Sequence, residues 1–128
     1  MRWLKILLAI NGVVYLFYAA SNALAPTSYF LPSDAPDYAV AVVRVVAVSY
    51  LAIALIQLGM WMVTDRLAVR IVASASLVFT AGFAVVAATA GSGSSDPFHQ
   101  IAIGAAGGNA IVAILYAILL YREQTAQA

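Results

Sequence analysis

The sequence predicts an all-α protein, a four-helix transmembrane bundle with both termini cytoplasmic, and three observations predict it. Hydrophobic residues make up 65% of the chain and charged residues only 9%, far from the balance of soluble globular domains. The apolar residues are gathered in four long runs, each of at least the roughly 20 residues a helix needs to cross a hydrocarbon core. Of the six Lys and Arg residues, five sit at the chain ends and in the second linker, and the sixth, Arg44, sits inside a run. Helix is preferred to strand because a single span in lipid must satisfy its own backbone groups, and no barrel-like alternation of polar and apolar residues is present.

The spans are expected at residues 3–25, 38–63, 67–90 and 97–121, forming one membrane domain over residues 1–128. The first opens behind Arg2, with Lys5 near its start, and stops at Pro26. Its basic start and the Ala23-Leu24-Ala25 triplet imitate a cleavable signal, but Pro26 in the first mature position is unfavourable and the run is long, so it is read as a retained span. The second follows the linker Pro32-Ser33-Asp34-Ala35-Pro36-Asp37, where Ser33 or Asp34 is a candidate cap and Pro36 is tolerated in the first turn. Thr64-Asp65-Arg66 is so short that the second and third spans are expected to be antiparallel neighbours. Gly91-Ser92-Gly93-Ser94-Ser95 ends the third span, and Asp96-Pro97 gives the fourth an N-cap and a proline at its first position.

Basic residues are retained on the cytoplasmic side. Arg2, Lys5, Arg66, Arg70 and Arg122 therefore place both termini and the second linker inside, while Asp34, Asp37 and Asp96 mark the two outer linkers. The localisation expected is integral to a bacterial inner (plasma) membrane, the Ala- and Val-rich usage being the ground for a bacterial source.

Cysteine is absent, which excludes disulfides, thiolate metal sites and thiol catalysis. No cofactor or metal is expected, since one His and no Cys cannot supply two axial histidines within a chain. No basic cluster is dense enough to track phosphates, so no nucleic-acid partner is expected. No Asp or Glu lies inside a span, which argues against a proton-coupled transporter, and no carboxylate is placed to orient His99 in a triad.

The candidate ligand-binding residues are Arg44, His99, Gln100, Tyr18 and Asn22, which share the outer level of the membrane with Thr89. Arg44 lies about 10 Å along the axis from the outer end of the second span. Two readings stand for it: snorkelling to the interface beside Asp34 or Asp37, or facing the interior to bind an anionic or carbonyl-bearing ligand. Asn11, Tyr15, Tyr18 and Asn22 form one stripe on the first span, and Tyr50, Ala54, Gln57 and Trp61 a similar stripe on the second. Interhelical hydrogen bonding accounts for both stripes, and a ligand cavity is the other reading. Helix packing is expected from Asn11 and from Gly104, Gly108 and Asn109, either against the small face Ala73, Ser76, Thr80, Ala84 and Ala87 of the third span or in a homodimer. His99 in the first turn of the fourth span is read as an interfacial hydrogen-bonding group or, alternatively, as part of an outer pocket.

The layout of a Pro-containing outer linker, an Arg early in the second span (Val43-Arg44-Val45) and a short charged inner linker resembles small bacterial four-span membrane proteins of the DoxX-like type and related uncharacterised families. The resemblance covers the whole chain at the level of topology. A Gly pair expected after the arginine is replaced by the Ser49-Tyr50-Leu51 region. The resemblance implies architecture and no catalytic residues.

The functional expectation is a binding or accessory protein, leaning away from an enzyme, that contacts membrane lipid, a hydrophobic small molecule or a larger membrane complex. The alternatives are a membrane-embedded enzyme acting on an apolar lipid or isoprenoid-like substrate, and a channel or transporter subunit assembled through Gly104 and Gly108. Reporter fusions read the topology directly: a cytoplasmic signal is expected after Arg70 and a periplasmic one after Ser94, and a periplasmic signal after Arg70 overturns the orientation.

Overall fold

Hydrocarbon offers no partner to a backbone N–H or C=O, so each apolar run has to close its own ladder, and a helix does so within one segment. A computed structural model of the chain describes residues 1–29, 31–91 and 97–126, with side chains described except at 28, 29, 90, 91 and 97–102. It is all-α: α1 is Arg2–Leu24, α2 the short Pro26–Tyr29, α3 Asp37–Gly59, α4 Arg66–Gly91 and α5 Pro97–Thr125. Four of these, α1, α3, α4 and α5, are long and apolar enough to cross a membrane, and no strand occurs among the described residues. Large aromatic side chains stand exposed near the helix ends, namely Trp3, Tyr38, Trp61 and Tyr121, the positions at which an amphipathic ring meets a headgroup layer.

Several helix ends depart from expectation, each for a local reason. The first outer linker contains α2, which opens on Pro26, where a missing N–H costs nothing; the Leu31 N–H closes on the Pro26 carbonyl at 3.1 Å. Neither Ser33 nor Asp34 caps α3. Pro36 holds the N-cap position without a side-chain hydrogen bond, and its carbonyl accepts from the Ala39 and Val40 N–H groups at 2.9 and 3.2 Å. A proline disfavours helix in the residue before it, so the helix cannot start earlier, and Asp37 meets the positive end of the helix dipole.

α3 also ends four residues before the expected 63, at Gly59. The Met60 N–H is shared between the Ile56 and Gln57 carbonyls, and Trp61 and Met62 donate to Leu58 and Gly59 at 3.2 and 3.1 Å. These i→i+3 bonds tighten the last turn, leaving Trp61 outside the helix and 57% exposed instead of on the buried stripe. α4 starts under a cap supplied by Asp65, whose Oδ1 accepts the Leu67 N–H at 2.8 Å and the Ala68 N–H at 3.5 Å. Pro97 is the first residue of α5, and the expected Asp96 cap lies outside the described residues.

The chain divides into two compact units, Ile6–Met62 and Met1–Lys5 with Val63–Ala128. In the first, α1 buries Leu7, Leu8, Asn11, Tyr15, Ala19 and Asn22, and α3 buries Ala47, Tyr50, Ala54 and Gln57. Both sets recur at three- and four-residue intervals, so each helix presents one stripe. The helices approach closely at Gly12: a Cβ placed there stands 3.0 Å from Leu58 Cγ, 3.2 Å from the Ala54 carbonyl oxygen and 3.3 Å from Gln57 Cβ.

In the second unit α4 and α5 pack along each other. α4 buries Val69, Ala73, Ser76, Thr80 and Ala87, with Ala84 half-buried, so the small face expected there is the inward one. α5 buries Ala106, Ala113, Tyr116 and Leu120. Gly104 and Gly108 are exposed, as is Gly107, and a Cβ added to any of them meets nothing within 4 Å among the described residues. Two residues from Ala106 in either direction is about 200° around a helix, so Gly104 and Gly108 do not mediate the α4 contact. Asn109 is half-buried, and its Nδ2 donates to the Ala105 carbonyl of its own helix at 2.8 Å instead of across a contact.

Among the described residues, the glycine on which helix packing depends is thus Gly12. Gly12→Ala is expected to destabilise the protein by about 1–3 kcal/mol through overpacking, whereas Gly108→Ala leaves stability unchanged or raises it slightly through helix propensity. Reversible unfolding in mixed micelles checks the pair, and equal losses for both variants contradict this assignment.

Candidate functional site

Membrane helices associate by close packing and by polar contacts, since lipid tails are as apolar as the side chains they would displace. The α1 and α3 stripes combine both. Gly12 brings the backbones together, and one turn further along α1 the ring of Tyr15 stacks on that of Tyr50, with centroids 5.6 Å apart and planes inclined by 11°. Tyr18 completes a triangle, 6.0 Å from Tyr50 and 6.4 Å from Tyr15, at tilted angles. These separations fall in the range where aromatic quadrupoles attract. Tyr15 is 2% exposed, Tyr50 8% and Tyr18 half-buried.

Amides flank the rings along the stripes. Asn11 and Asn22 are buried on α1, and Gln57 is buried on α3, its Cβ near Gly12. Three phenols and three amides offer donors and acceptors but no carboxylate or imidazole, so this seam is equipped to hold a hydrogen-bonding group and not to shuttle a proton. On α4 and α5 the polar side chains turn inward on their own helices: Ser76 Oγ donates to the Val72 carbonyl and Thr80 Oγ1 to the Ser76 carbonyl, each at 2.8 Å. Thr89 does the same to Val85 and Val86 at 3.0 and 2.9 Å.

Of the residues predicted as ligand-binding, Tyr18 and Asn22 lie on this buried side of α1. Arg44 does not join them. It is exposed on α3, on average about 100° around the helix from Ala47, Tyr50, Ala54 and Gln57, and it forms no ion pair with Asp34 or Asp37. His99 and Gln100 belong to the first turn of α5, but their side chains lie outside the described residues. Asn11, predicted as a packing residue, is buried on the α1 stripe. Gly12 is not among the stripe residues expected from the sequence, yet its position carries a signal: it adjoins Asn11 and precedes Tyr15 by three residues, the place for a small residue on a polar helix face. Among the described residues no group of three or more His, Cys, Asp or Glu converges.

A second charged locus lies in the other unit. The Met1 amino group forms an ion pair with Glu123 near the end of α5. Burial, and then the charge of Arg66, lower its pKa from the ordinary α-amino value. The start of α1, the start of α4 and the end of α5 therefore meet at one level.

No protein-family model, curated protein or solved structure matches the chain.

The tyrosine stack is testable by a double-mutant cycle. Tyr15→Ala and Tyr50→Ala are expected to couple by about 1 kcal/mol in unfolding free energy, and additive losses would remove the stack from the list of stabilising contacts.

Proposed function

We propose that this protein is a non-catalytic binding or accessory protein of a bacterial inner membrane, with both termini cytoplasmic, whose contact surface is the outward face of α3. The observation that carries the reading is the burial pattern. In its most apolar 18-residue stretch α3 buries 17% of its residues, less than half the 39% of α1 and close to the 22% of α4 and α5, and what sets it apart is the exposed intramembrane charge Arg44. An ionisable side chain at membrane depth is costly to keep unless it meets something. Val42, Val45, Val48, Leu51 and Leu55 are exposed around it, a surface fitted to acyl chains, an apolar ligand or another membrane helix. The meeting of Met1, Arg66 and Glu123 supports the orientation, because it gathers the basic segments on one side, where Lys and Arg are retained in the cytoplasm. The resemblance in layout to DoxX-like proteins accords with this reading at the level of architecture.

A photo-reactive residue at Val48, compared with one at buried Ala54, tests the surface in intact membranes. Adducts with lipid or with another membrane protein are expected at position 48 and adducts within the chain at 54. Only within-chain adducts at 48 would remove the α3 face as a contact surface.

A further inference from the structure

The exposed face of α3 has an internal order that goes beyond a single arginine. Counting at 100° per residue, Asp37, Ala41, Arg44, Val48, Leu51 and Leu55 fall within about 60° of one line along the helix, and all six are exposed. The acid comes first, at the helix start. A small residue follows one turn on, the base one turn further, and then three apolar side chains run toward the other end. Neither Asp37 nor Arg44 has an ion-pair partner among the described residues, and they are seven positions, about 10 Å, apart along the axis.

Depth decides what meets the arginine. With the middle of α3 at the middle of a roughly 30 Å hydrocarbon core, Arg44 lies about 9 Å inside the boundary. Its stem reaches outward only about 6 Å. The guanidinium therefore stops short of the headgroup layer, and an anion has to be drawn down to it, as happens when a bilayer thins locally around a buried cation. Asp37, about 10 Å nearer the end, sits at headgroup level with its carboxylate facing outward solvent.

We propose that this face is a binding site for one aminophospholipid, with the phosphate on Arg44, the headgroup ammonium on Asp37 and an acyl chain along Val48, Leu51 and Leu55. The proposal rests on the reading of α3 as the contact surface and names its ligand. Charge order selects the class. In a phosphoethanolamine headgroup the phosphate lies nearer the acyl chains and the amine lies beyond it, the same order as base and acid on the helix. A net-anionic headgroup satisfies Arg44 but faces Asp37 with nothing positive. A trimethylated headgroup offers Asp37 a charge without a hydrogen-bond donor, and charge-assisted hydrogen bonds are the stronger contact. Ala41 leaves a notch between the two charges in which the headgroup lies against the helix.

The test is lipid retention. The purified protein is exchanged into bilayer discs of equal parts phosphatidylethanolamine, phosphatidylglycerol and phosphatidylcholine, and the lipids carried by each chain are counted by native mass spectrometry. Phosphatidylethanolamine is expected to be enriched over both others, by about tenfold for one charge-assisted contact. Arg44→Gln is expected to lose retention of all three, Arg44→Lys to keep most of it, and Asp37→Asn to keep phospholipid while losing the preference for the amine headgroup. Both positions are exposed, and circular dichroism confirms that each variant keeps its helices. Wild-type enrichment of phosphatidylglycerol or phosphatidylcholine, or an Asp37→Asn variant with unchanged preference, overturns the ligand while leaving α3 as a contact surface. Retention equal to the bulk mixture in every variant, together with within-chain adducts only at position 48, overturns both.

Discussion

Everything in this chain follows from a solvent that cannot hydrogen-bond. In water an unsatisfied serine or asparagine finds a partner at no structural cost, but in hydrocarbon it must find one in the protein. Ser76, Thr80, Thr89 and Asn109 meet that demand by returning a hydrogen bond to a carbonyl one turn back in their own helix. That solution needs no neighbour, which frees α4 and α5 to pack through small and apolar side chains. It also explains why a polar residue inside a span is not by itself a sign of a site: four of them here are consumed locally.

The α1 and α3 pair solves the same problem in a different way. Tyrosine cannot reach back to its own helix as serine can, so a buried tyrosine needs a second element. Tyr15, Tyr18 and Tyr50 supply each other with ring contacts, and that arrangement requires the helices to be close. Gly12 makes them so, with the Ala54 carbonyl 3.2 Å from where a Cβ would stand. Close approach in lipid is valuable because dispersion and weak polar contacts must replace a hydrophobic drive that is absent. The glycine and the aromatic stack are therefore one device: the first sets the distance at which the second works.

Arg44 is where the fold leaves a demand unmet by the protein. The helices that bury α1 and α3 against each other turn the arginine to the outside, and Asp37 is two turns away on the same face. On the proposed reading, an intramembrane charge with a carboxylate above it and apolar side chains below it matches an amphiphile in both charge order and polarity. The function proposed here accordingly lies on the perimeter of α3 and not in the tyrosine seam.

Sequence alone determined the class, the number of long apolar helices and their approximate limits, because length and hydropathy are properties of each segment by itself. It also determined most of the two stripes, since Asn11, Tyr15 and Asn22, and Tyr50, Ala54 and Gln57, follow from helical periodicity and are buried, whereas Tyr18 is half-buried and Trp61 falls beyond the end of α3 and is exposed. Exact ends were less legible. Where α3 stops depends on the shared hydrogen bonds of Met60, and where α4 begins depends on Asp65 turning its carboxylate onto the first turn, both matters of local geometry. Only tertiary structure decided which glycine mattered. Gly104-x-x-x-Gly108 has the spacing of a packing motif yet faces away from α4, whereas Gly12 has no motif and sits against Ala54 and Leu58. It decided Arg44 in the same way, because periodicity gives the angle between residues on one helix but not which side of that helix its neighbours will cover.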